Sequence, residues 1–291
     1  MANILKCYFL LDCGNIETLK KTWQILPLTI KVLSPVERHN NDVIKTYDSI
    51  LKDIQDEEAL IFMNHGFAPC EILLDDTDQK WKHQISLYNN MLIQAFKLGL
   101  SEDLTDKSIL EIGSGRGGGL AFVKKYYNPK QATGVDLNKN QVTFCANTHE
   151  KEGLNYIEGD ACALDIEDNT IDIIFNVESS HCYSNINQFY RQVSDKLKPG
   201  GFFLYTDIFF PDEKLYDDFL AFEQNLIPGM DILYAKDMTE NVIDACRLDK
   251  VDFKTTLPKT IAALMSEIAE VKLDKYEKGL IKYITVVAIK R

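Results

Sequence analysis

From residue 105 onward, short apolar runs alternate with stretches in which apolar residues recur every three or four positions. The first pattern reads as buried strands and the second as amphipathic helices. KSILEIG (107–113) is strand-like and GGLAFVKKYY (118–127) helical. QATGVDL (131–137) is a second strand, followed by a helix over NKNQVTFCANTHEKEG (138–153), with Gly153 as its stop. LNYIEGD (154–160) is a short strand and its exit, and TIDIIFNV (170–177) is an unbroken run rich in β-branched residues. INQFYRQVSDKLKPGG (186–201) sets Ile186, Phe189, Tyr190, Val193 and Leu197 at helical spacing, and Pro199-Gly200-Gly201 ends it. FFLYTDIF (202–209) is another buried strand. Residues 212–279 read as mostly helical, with helices over TENVIDACR and TIAALMSEIAEVKLDKYEK, and IKYITVVAIKR closes the chain as a strand. Strands separated by helices of this length predict a parallel α/β sheet covered on both faces.

Upstream, KWKHQISLYNNMLIQAFKLGL (80–100) predicts an amphipathic helix with Trp81, Ile85, Tyr88, Leu92 and Phe96 on one stripe and Gly99 near its end. The stripe serves core packing or a lid over a binding site. Residues 1–44 show no clear period. The run WQILPLTIKVL (23–33), broken at Pro27, is expected to pack on the domain or to form a contact in a possible homodimer.

Composition narrows the function classes. The chain has 291 residues and a net charge of −12, a poor surface for nucleic acid, which is held by clustered Lys and Arg. Seven cysteines, at 7, 13, 70, 145, 162, 182 and 246, are odd in number and lack CxxC spacing. They suggest free thiols in a reducing compartment. The five histidines show no metal-ligand spacing, so no metal site is expected. No apolar segment reaches bilayer-spanning length. The expectation is a soluble, cytoplasmic protein without stable membrane insertion.

The chemistry concentrates at ILEIGSGRGGGLAF (109–122), where five glycines fall within seven positions between a strand and a helix. Such a bend lets a ligand approach the main chain closely. Read as GxGxxG, it suits a dinucleotide; read as ExGxGxG from Glu111, it suits S-adenosylmethionine (SAM). Asp136, at the end of the second strand, could bind ribose hydroxyls in either case. Asp160, within EGDACALDIEDNTIDIIF, decides for SAM, followed by Asp168, by Ile171-Asp172-Ile173-Ile174 and by Lys198-Pro199-Gly200-Gly201. This succession resembles class I SAM-dependent methyltransferases over about residues 105–210.

The resemblance implies a Rossmann-like α/β fold, a seven-stranded mostly parallel sheet with an antiparallel C-terminal strand. Residues 1–104 would form a helical N-terminal extension or cap. Residues 105–291 would form the SAM-binding domain, with a helical acceptor-binding insertion at about 212–280. It assigns SAM as cofactor and S-adenosylhomocysteine as product. It also places Glu111, Gly113, Ser114, Gly115, Arg116, Gly117, Asp136, Leu137, Asp160, Ala161, Asn176 and Val177 around SAM.

NVESSHCY (176–183) follows the fourth strand, where an acceptor would meet the cofactor. Glu178 and His181 are titratable and share a face if the stretch turns helically. His181 is expected as general base, with Glu178 orienting it or contacting SAM. Asp207, after the fifth strand, has only Glu178 as a nearby acid, which disfavours a metal-dependent site. FMNHGFAP (62–69), QISLYNN (84–90), LEIGSGRGGG and NVESSHCY together resemble phthiotriolone-type lipid O-methyltransferases and their polyketide-tailoring relatives. That resemblance implies an apolar small-molecule acceptor methylated on a hydroxyl. C- or N-methylation, or a non-catalytic SAM-binding or cyclase role, are the alternatives. Phe62, Phe67, Trp81, Tyr88, Phe209, Phe210 and Phe222 flank the expected mouth of the acceptor pocket.

Overall fold

The structure, a computed structural model, describes residues 35–51, 60–223 and 225–291. The apolar run at 23–33 lies outside them. Helix α1 (Pro35–Leu51) and helix α2 (Lys82–Lys97, preceded by a 3-10 turn at Gln79–Trp81) come before the sheet. Then follow β1 (Ser108–Ile112), α3 (Gly118–Tyr126), β2 (Gln131–Asp136), α4 (Lys139–Thr148), β3 (Leu154–Glu158) and β4 (Ile171–Val177). The chain continues through α5 (Ile186–Lys196), β5 (Leu197–Phe209), α6 (Lys214–Leu220) and β6 (Met230–Asp237). It ends with α7 (Thr239–Thr256), α8 (Lys259–Glu277) and β7 (Lys282–Lys290).

The seven strands form one sheet in the order β3-β2-β1-β4-β5-β7-β6. β1 to β5 run parallel, and β7 inserts antiparallel between β5 and β6. The parallel sheet with an antiparallel C-terminal strand is the arrangement expected. The strand order reverses between β1 and β4, so a crevice opens at their carboxyl ends.

Alternation along the strands divides the core in two. Ile109, Ile173, Phe175 and Leu204 face α2, α7 and α8, where Trp81, Ile85, Leu92, Val242, Phe253 and Ile261 are buried. Leu110, Ile112, Ile174, Phe203 and Tyr205 face the other layer, with Phe189, Tyr190 and Val193 of α5 and Phe219 of α6. Leu60, Phe62, Leu100 and Leu104 belong to the first of these cores, so the segment before β1 packs directly on the sheet.

Three boundaries differ from expectation. β6 lies where the pattern reads as helical. It is an edge strand in which only Met230 is buried, with a register shift between Ile232 and Tyr234, so it carries neither an apolar run nor clean alternation. Helix α4 ends at Thr148, and Gly153 instead takes φ +73° in the turn into β3. Helix α5 ends at Lys196, because Leu197 is already extended, with ψ 142°, and taken into β5. The chain is already paired at Leu197, opposite Ile171, and the Pro-Gly-Gly excursion precedes the Ile173–Phe202 pair.

The thiol expectation holds only in part. Cys70, Cys145, Cys162 and Cys246 are free, whereas Cys182 is in a disulfide whose partner is not among the described residues. No helix among the described residues is long and apolar enough to cross a membrane.

Candidate active site

A cavity opens at the carboxyl ends of β1, β2 and β4. Its wall is formed by the glycine bend, the exits of those strands and of β3, the middle of α1, the segment 60–65 and one face of α8. The bend is fixed from several sides. Gly113 and Ser114 donate their N–H groups to the Val135 carbonyl, and the Tyr156 hydroxyl donates to the Gly117 carbonyl. Gly113 has φ +74°, and a Cβ there would lie 2.3 Å from Ser179 Oγ, so only glycine fits. A Cβ on Gly119 would fall 1.9 Å from the Tyr88 ring, so α3 meets α2 here without room for a side chain.

Asp136 holds the bend in place. One carboxylate oxygen accepts from Gly115 N at 2.8 Å and the other from Asn138 N at 2.8 Å. Burial pushes its carboxyl above the usual range, while those two N–H groups pull it back. Asp160 accepts from Cys162 N at 2.8 Å and from the Asn40 side chain of α1 at 2.9 Å. Helix α1 is fastened over this end by two further contacts: the Asn138 amide donates to Asp48, and His39 Nε2 lies 2.6 Å from the Cys182 carbonyl oxygen.

The remaining expected cofactor residues divide in two. Gly113, Ser114, Gly115, Arg116, Gly117, Asp136, Leu137, Asp160, Ala161 and Val177 line the cavity. Glu111 and Asn176 stand behind its wall. Glu111 accepts from the Tyr88 hydroxyl at 2.6 Å, and burial pushes its carboxyl up to about 8. The Asn176 amide donates to the Ile112 carbonyl and contacts the Ser179 and Tyr183 hydroxyls, which ties β4 to the bend. The Arg116 side chain is directed to the Leu60 carbonyl and stacks on Phe144.

The stretch after β4 does not continue as an α-helix. Glu178 takes φ +48°, and only Ser180–Cys182 form a single 3-10 turn. The two titratable groups therefore take different partners. His181 Nδ1 lies 2.6 Å from Asp207 Oδ1, so the carboxylate that orients it is Asp207 rather than Glu178. Asp207, 1 % exposed at the end of β5, also accepts from Ile208 N, His181 N and the Ser180 hydroxyl. These contacts hold the ring with Nδ1 inward, and His181 itself lines the cavity.

Glu178 belongs to a second group. It accepts from His65 N at 2.7 Å and from the Tyr283 hydroxyl at 2.6 Å, and its other oxygen lies 3.5 Å from His65 Nε2. His65 Nδ1 is 2.8 Å from the Tyr276 hydroxyl. Burial raises the Glu178 carboxyl, opposed by the nearby Lys272 ammonium. Burial also holds His65 well below the usual histidine range, with Lys272 adding to the effect.

Sequence reasoning gave no catalytic part to Asp207, His65, Tyr283 or Lys272. The Asp207 partnership has a usable signal, since Asp207 lies near the carboxyl end of β5 and His181 just beyond that of the adjacent parallel strand β4. Of the aromatic residues expected at the mouth, Phe62 and Tyr88 line the cavity, Trp81 and Phe209 are core, and Phe222 is exposed on the surface.

The residues present fit SAM. Ser114 Oγ and Gln141 Oε1 are buried at the cavity wall without a hydrogen-bond partner. The side of Gly115 where a Cβ would stand is open for 4 Å. Asp136 and Asp160 offer acceptors for ribose hydroxyls and for an exocyclic amine. The glycine bend leads into the N-terminus of α3, which favours a carboxylate.

Comparison with known proteins agrees. Residues 110–205 match the family described as methyltransferase domain. A fatty-acid O-methyltransferase from Mycolicibacterium smegmatis is 36 % identical over 154 residues, covering 52 % of this chain and 54 % of that protein. A probable phthiotriol/phenolphthiotriol dimycocerosates methyltransferase 2 from Mycobacterium ulcerans is also 36 % identical, with 52 % and 57 % covered. The chain thus spans about half the length of the curated relatives it matches. Among solved structures, geranyl diphosphate C-methyltransferase from Streptomyces coelicolor superposes with a TM-score of 0.63 at 14 % identity, covering 89 % of this chain and 100 % of that one. The cyclase SpnF superposes with a TM-score of 0.62 at 16 % identity, covering 86 % and 96 %. These two share the fold.

The sheet order and the cavity at its switch point are those of the class I SAM-dependent methyltransferases. Within this fold, residues 110–205 are the part that matches the methyltransferase-domain family.

Proposed function

We propose that this protein binds SAM in the cavity and methylates an oxygen on an apolar small-molecule acceptor, with His181 as the base. The observation that carries this reading is the His181–Asp207 pair, buried beside the glycine bend with the imidazole facing the cavity. The names of the curated relatives, a fatty-acid O-methyltransferase and a phthiotriol-lipid methyltransferase, support an oxygen on a lipid-like molecule.

SAM, when bound, supplies an electrophilic methyl group on its sulfonium. Asp136 would hold the ribose, Asp160 with the Ala161 backbone the adenine, and Ser114 with the bend the methionine end. His181 Nε2 would accept the acceptor's hydroxyl proton, and Asp207 would stabilise the resulting imidazolium through Nδ1–H. His181 is held to β5 by two contacts with Asp207, so much of the pair's contribution is positioning. Met63, Ile208, Met265 and Ile268 give the acceptor end apolar walls. The segments before β1 would then serve as a cap over SAM, and α8 as part of the acceptor-binding insertion. A non-catalytic scaffold would leave the His181–Asp207 pair without a task. The net charge of −12 supports a small molecule over nucleic acid. The four free thiols support the expected cytoplasmic setting, and the disulfide at Cys182 is the observation against it.

The test is turnover of methyl-labelled SAM against a lipid extract of the source organism, with labelled products read by mass spectrometry. Labelled methyl ethers should form with the native protein and be lost with His181→Ala. Equal product from the variant would remove His181 from the mechanism, and failure to bind SAM would remove the whole reading.

A further inference from the structure

Lys272 has a situation that methyl transfer from SAM does not explain. It is 9 % exposed, on α8, and lines the cavity. Met265, Ile268 and Lys272 follow one another at helical spacing, so one face of α8 offers the cavity two apolar side chains and then an ammonium. Among the described residues Lys272 has no hydrogen-bond or ion-pair partner. Its natural neighbour, Glu178, is close enough to feel its charge but is already engaged by His65 N–H and the Tyr283 hydroxyl. Three ammonium N–H donors therefore face the acceptor end with no acceptor built for them. The ammonium opens on the cavity, where a ligand that brings a counter-charge can pair with it.

We propose that Lys272 recognises an ionised carboxylate on the methyl acceptor, with the acceptor's apolar body lying along Met265 and Ile268. A single ammonium beside the Glu178 carboxylate suits a monoanion better than a doubly charged phosphate. An ammonium also binds as a point charge and needs no bidentate geometry. This inference rests on the methyltransferase reading of the same cavity and adds the class of acceptor: an apolar hydroxy acid, held by Lys272 at its carboxylate and methylated at its separate hydroxyl, whose proton passes to His181 Nε2.

The experiment compares dodecanoate with 1-dodecanol, two probes matched in chain length, by calorimetry on protein preloaded with S-adenosylhomocysteine. Native protein should bind dodecanoate at least tenfold more tightly than dodecanol. Lys272→Met, which keeps the length and packing of the side chain, should weaken dodecanoate binding by about 10- to 100-fold, the range for a charge-assisted hydrogen bond, and leave dodecanol unchanged. Lys272→Arg should restore part of the preference. The affinity for S-adenosylhomocysteine should be the same in all three proteins, which separates this result from misfolding. Equal binding of the two probes by native protein, binding of neither, or unchanged dodecanoate binding in Lys272→Met each overturns the proposal. Failure to bind S-adenosylhomocysteine would instead overturn the methyltransferase reading, since dodecanoate binding can be read without it.

Discussion

Asp207→Asn tests the proposed chemistry most directly, because the substitution keeps the shape and removes the charge. The donors to the native carboxylate include His181 Nδ1 at 2.6 Å, Ile208 N at 2.8 Å, Ser180 Oγ at 2.5 Å and His181 N at 3.1 Å. An amide can serve one side of that set but presents N–H groups to the other. If its oxygen faces His181 Nδ1, the tautomer survives but the imidazolium formed on proton transfer loses its counter-charge. If its NH2 faces Nδ1, the ring carries its proton on Nε2 and can no longer accept one. The first case forfeits a charge-assisted hydrogen bond, about 1.5–3 kcal/mol, or roughly 10- to 150-fold in rate. The second removes general-base catalysis, about 10²- to 10⁴-fold. The expected loss in kcat is therefore at least tenfold. S-adenosylhomocysteine release at saturating SAM measures it. The Kd for SAM should hold, because Asp207 is not part of the cavity lining. Two residues acting as one unit are not additive, so Asp207→Asn in a His181→Ala background should slow the enzyme little further. An Asp207→Asn variant that keeps native kcat, or a double variant slower by the product of the two single effects, would refute the pairing.

Three further outcomes follow from the geometry. SAM at a hundred times its Kd should stabilise the native protein by about 2.7 kcal/mol, seen as a rise in Tm, and Asp136→Ala should abolish the rise; stabilisation by NADH instead of SAM would contradict the cofactor assignment. Gly113→Ala should destroy SAM binding, because its Cβ would sit 2.3 Å from Ser179 Oγ, whereas Gly99→Ala, with φ +107° but nothing within 4 Å, should cost about 1 kcal/mol in urea melts and leave binding intact. Glu111 titrates at about 8 in the fold against 4.5 ordinarily, so the folded state holds its proton more tightly than the unfolded chain. Its contribution is then fully present below the unfolded value and is lost as pH rises toward about 8. Urea unfolding of the ligand-free protein across that window should show stability falling with pH, and Glu111→Gln should flatten the slope.

The sheet was legible where burial is two-sided. β4 is buried along nearly its whole length and β7 through its centre, so both read as unbroken apolar runs. β6 was not legible, because an edge strand with one buried residue looks like any amphiphilic segment. The glycine bend, Asp136 and Asp160 were legible because they sit at fixed distances along one βαβ succession. What the sequence hid is whatever tertiary structure joins. Asp207 lies 26 residues from His181 and is brought beside it by the β4–β5 register, in which Val177 faces Thr206. His65 lies 113 residues from Glu178. Lys272 sits within the apolar stripe of α8, and a lysine at such a position is itself a signal that one helix face meets something polar.

A buried histidine against a carboxylate is not by itself a catalytic mark, since three occur among the described residues. His83 meets Asp249 at 2.5 Å, but its surroundings are the packed layer of α2 and α7, away from the cavity wall. His65 lines the cavity, yet it is poorly suited as a base. Burial and the Lys272 charge hold it well below the usual range, its Nδ1 is engaged by Tyr276, and its Nε2 is directed toward Glu178. His181 alone combines a carboxylate on Nδ1 with a place on the wall beside the glycine bend. The His65 group then has a different use. By engaging both oxygens of Glu178, it keeps that carboxylate from neutralising Lys272, and so leaves one cation free for the acceptor. A His65→Ala/Tyr283→Phe double variant checks this division, leaving Glu178 only the residue-65 N–H: Glu178 would turn toward Lys272, dodecanoate affinity should fall with the ammonium intact, and unaltered affinity would show that Glu178 and Lys272 act independently.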